Sequence, residues 1–151
     1  MTQHKVIVER LKEYSYKDAR EIGRLLPFLS ERCSSEPVPE ALLREIIDSA
    51  HHEQLVARYK GEIVGTATLT LLLGPAVKKM GYLEDFVTNP SLRGHGIGGA
   101  LWEDMMVWCR QNDVSLTFTS KPHRVDAHRF YKAHGAEVRD TTVFKAKPTT
   151  S

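Results

Sequence analysis

Three groups of residues in this chain have types and spacings that can do chemistry. The first is the run Arg93-Gly94-His95-Gly96-Ile97-Gly98-Gly99. Glycine costs backbone entropy and weakens a helical first turn, so four glycines among residues 94–99 exceed what a plain turn needs. The expense is explained if something must approach the backbone closely. A helix N-terminus carries unpaired N–H groups and a partial positive charge, and bare glycines would expose both to a diphosphate, with Arg93 adding charge at the rim. The second group is the adjacent pair Glu84 and Asp85, carboxylates able to accept a proton. The third is Tyr131, whose phenol has an ordinary pKa of about 10 and so holds a proton to give at neutral pH.

The glycine run also fits the dinucleotide fingerprint at Gly94, Gly96 and Gly99, but the context opposes that reading. Asn89 to Arg93 separate the run from the preceding strand, and Val114 to Thr119 is followed by Ser120-Lys121 with no acid for a ribose. Too little chain follows for the remaining strands of such a fold. No Gly-Lys-Ser/Thr occurs, which excludes a Walker loop. The diphosphate of coenzyme A remains the best occupant.

The elements that must hold these residues follow from periodicity. His4 to Arg10 reads as a strand. Ser15 caps a helix through Leu26, with Asp18 at the third position, and a second helix spans about Pro39 to Ala50. Gln54 to Tyr59 and Glu62 to Leu73 form a hairpin about Lys60-Gly61, and Gly81 to Thr88 is the next strand. A helix from about Gly96 to Gln111 follows the glycine run. Then come a strand at Val114 to Thr119, a helix at Val125 to His134 closed by a left-handed Gly135, and a last strand at Ala136 to Lys145. The tail from Lys147 to Ser151 is expected to fray. Early hairpins and late crossovers imply an α+β fold. A mixed, mainly antiparallel sheet is flanked by helices on both faces, within one domain over residues 1–151.

With these residues placed, the chain resembles the GNAT family of N-acetyltransferases. The family signature Arg/Gln-x-x-Gly-x-Gly/Ala is present as Arg93-Gly94-His95-Gly96-Ile97-Gly98, after the strand Tyr82 to Thr88. A second family segment, an alanine before an aromatic-Tyr pair and a glycine, is present as Ala127-His128-Arg129-Phe130-Tyr131-Lys132-Ala133-His134-Gly135. The resemblance covers nearly the whole chain. It departs at Arg124, where relatives often carry an Asn that contacts the pantetheine arm, and at Gly135-Ala136, where Gly-Phe is common.

The resemblance implies acetyl transfer from acetyl-coenzyme A to a primary amine by direct attack in a ternary complex. It places the diphosphate on Arg93 to Gly99, namely Arg93, Gly94, His95, Gly96, Ile97, Gly98 and Gly99, and the pantetheine near Phe86, Val87 and Arg124. It makes Tyr131 the general acid. Neighbours on a strand face opposite ways, so only one of Glu84 and Asp85 faces the site unless a bulge intervenes. The resemblance implies such a bulge. Glu84 is the favoured base, directly or through water, with Asp85 the alternative. The acceptor pocket would be lined by Arg32 to Pro39 and Gly74 to Gly81. Their mixed charges do not choose among a sugar amine, a polyamine, an antibiotic, an amino acid or a protein lysine. A small-molecule amine is the leading expectation, with a peptide acetyltransferase or a non-catalytic coenzyme A sensor as alternatives.

Composition sets the other limits. The 151 residues are 41% hydrophobic and 26% charged, with a formal charge of +2, which argues against nucleic-acid or anionic-membrane partners. No metal is expected, since the seven His are scattered and His51-His52 lacks the i, i+4 spacing of helical ligands. Cys33 and Cys109 have no CxxC spacing and read as free thiols of a cytoplasmic protein. The first residues lack the apolar stretch of a signal peptide. A last strand left as a free edge would favour a homodimer.

Overall fold

The computed structural model describes residues 4–149; Met1 to Gln3 of the N-terminal segment, and Thr150 and Ser151 of the expected frayed tail, lie outside the described residues. The chain divides into two compact units at Phe118/Thr119.

The first unit holds the sheet, in the order β1 (Ile7–Arg10), β2 (His52–Tyr59), β3 (Glu62–Gly74), β4 (Lys78–Thr88) and β5 (Leu116–Thr117). The first four strands pair antiparallel, and β5 joins β4 in parallel. The β2–β3 turn falls on Lys60-Gly61, both at positive φ (53° and 79°), the geometry of a two-residue hairpin turn that follows the twist of its strands. Helices α1 (Tyr16–Leu25) and α2 (Glu40–Asp48) cover one face, where Ala19, Ile22, Leu25 and Leu43 bury against Val56, Ile63 and Val87. Helix α3 (Ile97–Asn112) covers the other. A Cβ on Gly65 would lie 2.9 Å from both Ile97 and Leu101 side chains, so glycine is what lets α3 settle this close to the sheet.

Polar contacts fix α1 on the sheet. The Ser15 hydroxyl accepts from the Asp18 N–H at 3.1 Å, the expected N-cap. The Asp18 carboxylate is gripped at both oxygens by Arg58, at 2.9 and 3.1 Å, and Arg58 also reaches Glu9. Burial would raise the Asp18 pKa, but Arg58 outweighs it and holds the group below the ordinary carboxylate range. Glu21, 6% exposed, accepts the Ile63 N–H at 2.9 Å and so pins α1 to the start of β3.

The loop between α1 and α2 lies directly on α1. The Val38 N–H donates to the Ala19 carbonyl at 3.0 Å, and a Cβ on Gly23 would stand 2.1 Å from the Glu36 carbonyl oxygen. Alanine inside a helix ordinarily gains about 1 kcal/mol over glycine. Here the sign should reverse. Gly23→Ala is expected to lose about 1–3 kcal/mol by overpacking against backbone, read as a lower urea midpoint with an unchanged slope.

In the second unit, helix α4 (Val125–Ala133) closes as expected. Gly135 has φ of +90°, its N–H donates to the Lys132 carbonyl, and the Ala136 N–H donates to the Tyr131 carbonyl. This pair of bonds is the Schellman stop. Beyond it the structure departs from expectation. Residues 136–149 form neither helix nor strand, and Val138, Val143 and Phe144 are exposed. Alternating β-formers need a ladder partner to become a strand, and this segment makes none. The argument for a homodimer from a free edge strand at Glu137 to Lys145 falls with it.

Candidate active site

The register of β4 against β3 decides where the carboxylates point. Thr68 pairs with Glu84 and Thr66 with Val87, so Asp85 and Phe86 together oppose Ala67. This is a β-bulge, and Asp85 occupies the left-handed region at φ 51°. Asp is among the few non-glycine residues that enter that region readily. The extra residue brings Glu84 and Val87 to the same sheet face, the α1/α2 face, although they are three apart in sequence. The Val87 side chain is spent on the core at 5% exposed, so only its backbone is offered at the bulge. Burial raises the Glu84 pKa and the neighbouring Asp85 charge raises it further. Burial raises Asp85 as well.

The glycine run sits between β4 and α3. The Asn89 side chain accepts from the N–H and hydroxyl of Ser91 at 3.0 and 2.8 Å, holding a single 3₁₀ turn at Pro90–Leu92. Gly94 (φ 88°) and Gly96 (φ 74°) then turn the chain into α3 through conformations that side chains resist. Gly96 is the N-cap, and no side chain caps α3. The N–H groups of Ile97, Gly98 and Gly99 therefore lack intrahelical partners. A Cβ at Gly94, Gly96 or Gly99 would meet nothing within 4 Å, so the space over these donors is open. The Ile97 side chain is 4% exposed and anchors the turn from below. These features fit the diphosphate of coenzyme A: free donors, the positive helix end, room above, and the exposed Arg93 beside them.

His95 is held by two contacts that sequence reasoning missed. Its Nδ1 lies 3.0 Å from the Leu92 carbonyl, and its ring meets Tyr59 edge-on at 5.2 Å between centroids. Tyr59, at the end of β2, thus braces the glycine run.

In the second unit, Tyr131 lies in the last turns of α4 and Arg124 is that helix's N-cap residue. Burial raises the Tyr131 phenol above its ordinary pKa, with Arg124 opposing in part, so the hydroxyl keeps its proton through the neutral range. Phe130 stacks on His134 at 4.0 Å, and the His128 ring nitrogen Nε2 lies 3.0 Å from the Ser120 hydroxyl.

The expected acceptor-lining segments fare differently. Arg32 to Pro39 is a loop, held on α1 as described. Gly74 to Gly81 is not the expected loop. The strands run on to Gly74 and resume at Lys78, leaving Pro75 to Val77 as a short tip, because the β3–β4 ladder carries pairing out to Gly74 and Lys78. A long loop closing over the site would have favoured a small acceptor, and that feature is absent among the described residues. A polar row on the α1/α2 face was not foreseen. Gln54, Thr68 and Glu84 lie side by side across β2, β3 and β4, and His52, Thr70 and Tyr82 form the next row. The alternation Thr66-Ala67-Thr68-Leu69-Thr70 was the available signal.

Among the described residues no group of three or more His, Cys, Asp or Glu is arranged to hold a metal ion. Among the described residues no helix is long and apolar enough to cross a membrane.

Comparison with known proteins identifies the family. Residues 24–136 match the model of the acetyltransferase (GNAT) family. An aminoglycoside N(6')-acetyltransferase type 1 from Stenotrophomonas maltophilia is 28% identical over 114 residues, covering 72% of this chain and 74% of that protein. Among solved structures, an aminoglycoside acetyltransferase from an uncultured soil metagenomic sample, in complex with trehalose, superposes with TM-score 0.81 at 17% identity over 96% of this chain and 97% of its own. A ribosomal-protein-alanine N-acetyltransferase from Brucella melitensis biovar Abortus 2308 gives 0.72 at 20% identity, over 95% and 99%. At these identities the structural likeness establishes the fold.

Proposed function

We infer the reaction from a fixed premise: the chain belongs to the acetyltransferase (GNAT) family, and it is an acetyl-coenzyme A-dependent acetyltransferase. Its acceptor is the primary amine of a small molecule of amino-sugar type, attacked directly in a ternary complex. The observation that carries the reading is Glu84, which the bulge turns onto the face where Thr68 is its cross-strand neighbour and Gln54 stands beyond Thr68. The aminoglycoside named for the 28% identical relative supports the acceptor class.

The chemistry asks three things of the chain. A primary amine with pKa about 10.4 is neutral in roughly one molecule in a thousand or fewer at pH 7, so a base must remove its proton. Glu84 does this, with its raised pKa bringing it closer to neutrality than an ordinary glutamate. The bound thioester supplies the acetyl group. The N–H groups of Ile97 to Gly99 and the Arg93 guanidinium hold the diphosphate, and the backbone at Phe86 and Val87, with Arg124, serves the pantetheine arm. As the nitrogen–carbon bond forms and the carbon–sulfur bond breaks, Tyr131 gives its proton to the leaving sulfur. Solvent then returns a proton to Tyr131 and takes one from Glu84.

The test compares kcat/KM for an amino sugar, a polyamine, an amino acid and a peptide with a free N-terminus, at saturating acetyl-coenzyme A. The amino sugar is expected to lead the peptide by at least tenfold. A peptide that leads would transfer the enzyme to the protein-acetylating branch.

A further inference from the structure

Thr66, Thr68 and Gln54 form a hydrogen-bonded chain whose polarity is fixed by one backbone group. Thr66 Oγ1 lies 2.7 Å from the Leu55 carbonyl, which can only accept, so the Thr66 hydroxyl must donate there. Gln54 Nε2 lies 2.7 Å from the same Thr66 oxygen and therefore donates to it, a second approach to the Ala67 carbonyl at 3.5 Å agreeing with that orientation. The other end of the Gln54 amide must then be oxygen. It lies 2.8 Å from Thr68 Oγ1, and the Thr68 hydroxyl must donate to it. Gln54 and Thr66 are 5% and 1% exposed, so water does not offer them other partners.

The consequence falls on Thr68, which is only half-buried. Its one proton is committed to Gln54, leaving lone pairs and no donor. Its cross-strand partner on the same face is Glu84, and such partners stand about 4.5–5.5 Å apart at Cβ. Two acceptors thus lie side by side, one a carboxylate and one a hydroxyl that cannot turn its proton toward it. Such a pair suits a group rich in donors, and a primary ammonium has three.

We propose that Thr68 seats the acceptor nitrogen: its hydroxyl, oriented by Gln54 and Thr66, accepts a hydrogen bond from the incoming primary ammonium while Glu84 receives the proton that is lost. The inference rests on the transferase reading above and adds a specificity residue to it. Thr68 binds the amine but exchanges no proton, so its loss weakens amine binding more than it slows the chemical step.

The experiment is steady-state kinetics of Thr68→Val, Thr68→Ala and Thr68→Ser on the best amine of the panel, with melting points recorded for each. Thr68→Val keeps the shape and removes the acceptor. Its KM for the amine is expected to rise roughly 10- to 100-fold, the worth of a charge-assisted hydrogen bond, with kcat within about threefold. The KM for acetyl-coenzyme A should not move. Thr68→Ser should restore the amine KM to near the parent value. Should Thr68→Val not fold, Thr68→Ala carries the same expectation. An unshifted amine KM in the Val or Ala variant, or a Ser variant as impaired as they are, would overturn the assignment of Thr68 alone. A parent protein that turns over no amine at all would overturn the transferase reading and this inference with it.

Discussion

Replacing Tyr131 by Phe is expected to lower kcat by roughly 10²-fold, toward the lower end of the 10²- to 10⁴-fold worth of a positioned proton donor. The ring stays and only the hydroxyl is lost, so folding and acetyl-coenzyme A affinity should remain near the parent values. A thiol of pKa about 8.5 is a fair leaving group by itself, which sets the effect at the lower end. The loss should appear equally in kcat and kcat/KM, because the proton is needed only as the sulfur departs. Burial holds the phenol above its ordinary value, so the alkaline fall in the parent's kcat should lie above the usual tyrosine pKa of about 10. A Phe variant with full kcat would assign the proton to water or another group. Tyr131 would then be a packing residue, with a stability change of about 1 kcal/mol from a lost hydrogen bond.

Glu84→Gln is expected to lower kcat/KM at pH 7 by roughly 10²- to 10⁴-fold. A base works only when deprotonated, so the parent's rate should fall as pH drops through the Glu84 pKa. That limb should lie above the ordinary glutamate value of about 4.3, since burial and then Asp85 disfavour the charge. In the Gln variant the limb disappears, and the residual rate climbs with pH toward the pKa of the free amine. Asp85→Asn removes the second cause of the raised Glu84 pKa. Removing a like charge favours the Glu84 carboxylate, so the limb should move to lower pH while turnover persists. If Asp85→Asn abolishes turnover and Glu84→Gln spares it, the two carboxylates exchange roles.

The elements that were legible in the sequence carry their signals locally. Ser15, Lys60-Gly61 and Gly135 stop or start elements through bonds and dihedrals within a few residues of themselves, and each does so in the structure. The Glu84/Asp85 bulge was implied by resemblance, because a bulge is a relation between two strands and β4 alone does not contain it. The row Gln54-Thr68-Glu84 was missed for the same reason. Its members are 14 and 16 residues apart along the chain and become neighbours only through the registers of two hairpins. Ala136 to Lys145 shows the opposite failure. Its Val and Phe residues have strand propensity, but propensity does not supply a partner, and the segment forms neither helix nor strand. At Gly74 to Gly81, the turn residues Gly74-Pro75 located the tip correctly, while Lys78 to Met80 entered β4 because β3 was long enough to pair with them.

The most direct test of the account is to follow an isotopically labelled acetyl group. The protein is mixed with labelled acetyl-coenzyme A and an aminoglycoside, and the masses of both amine and protein are recorded over time. Direct transfer predicts that the label appears on one amine of the small molecule in step with released thiol, and that the protein mass never changes. Label accumulating on the protein before the amine, or an unmodified amine in the presence of protein shown to bind the cofactor, would contradict it.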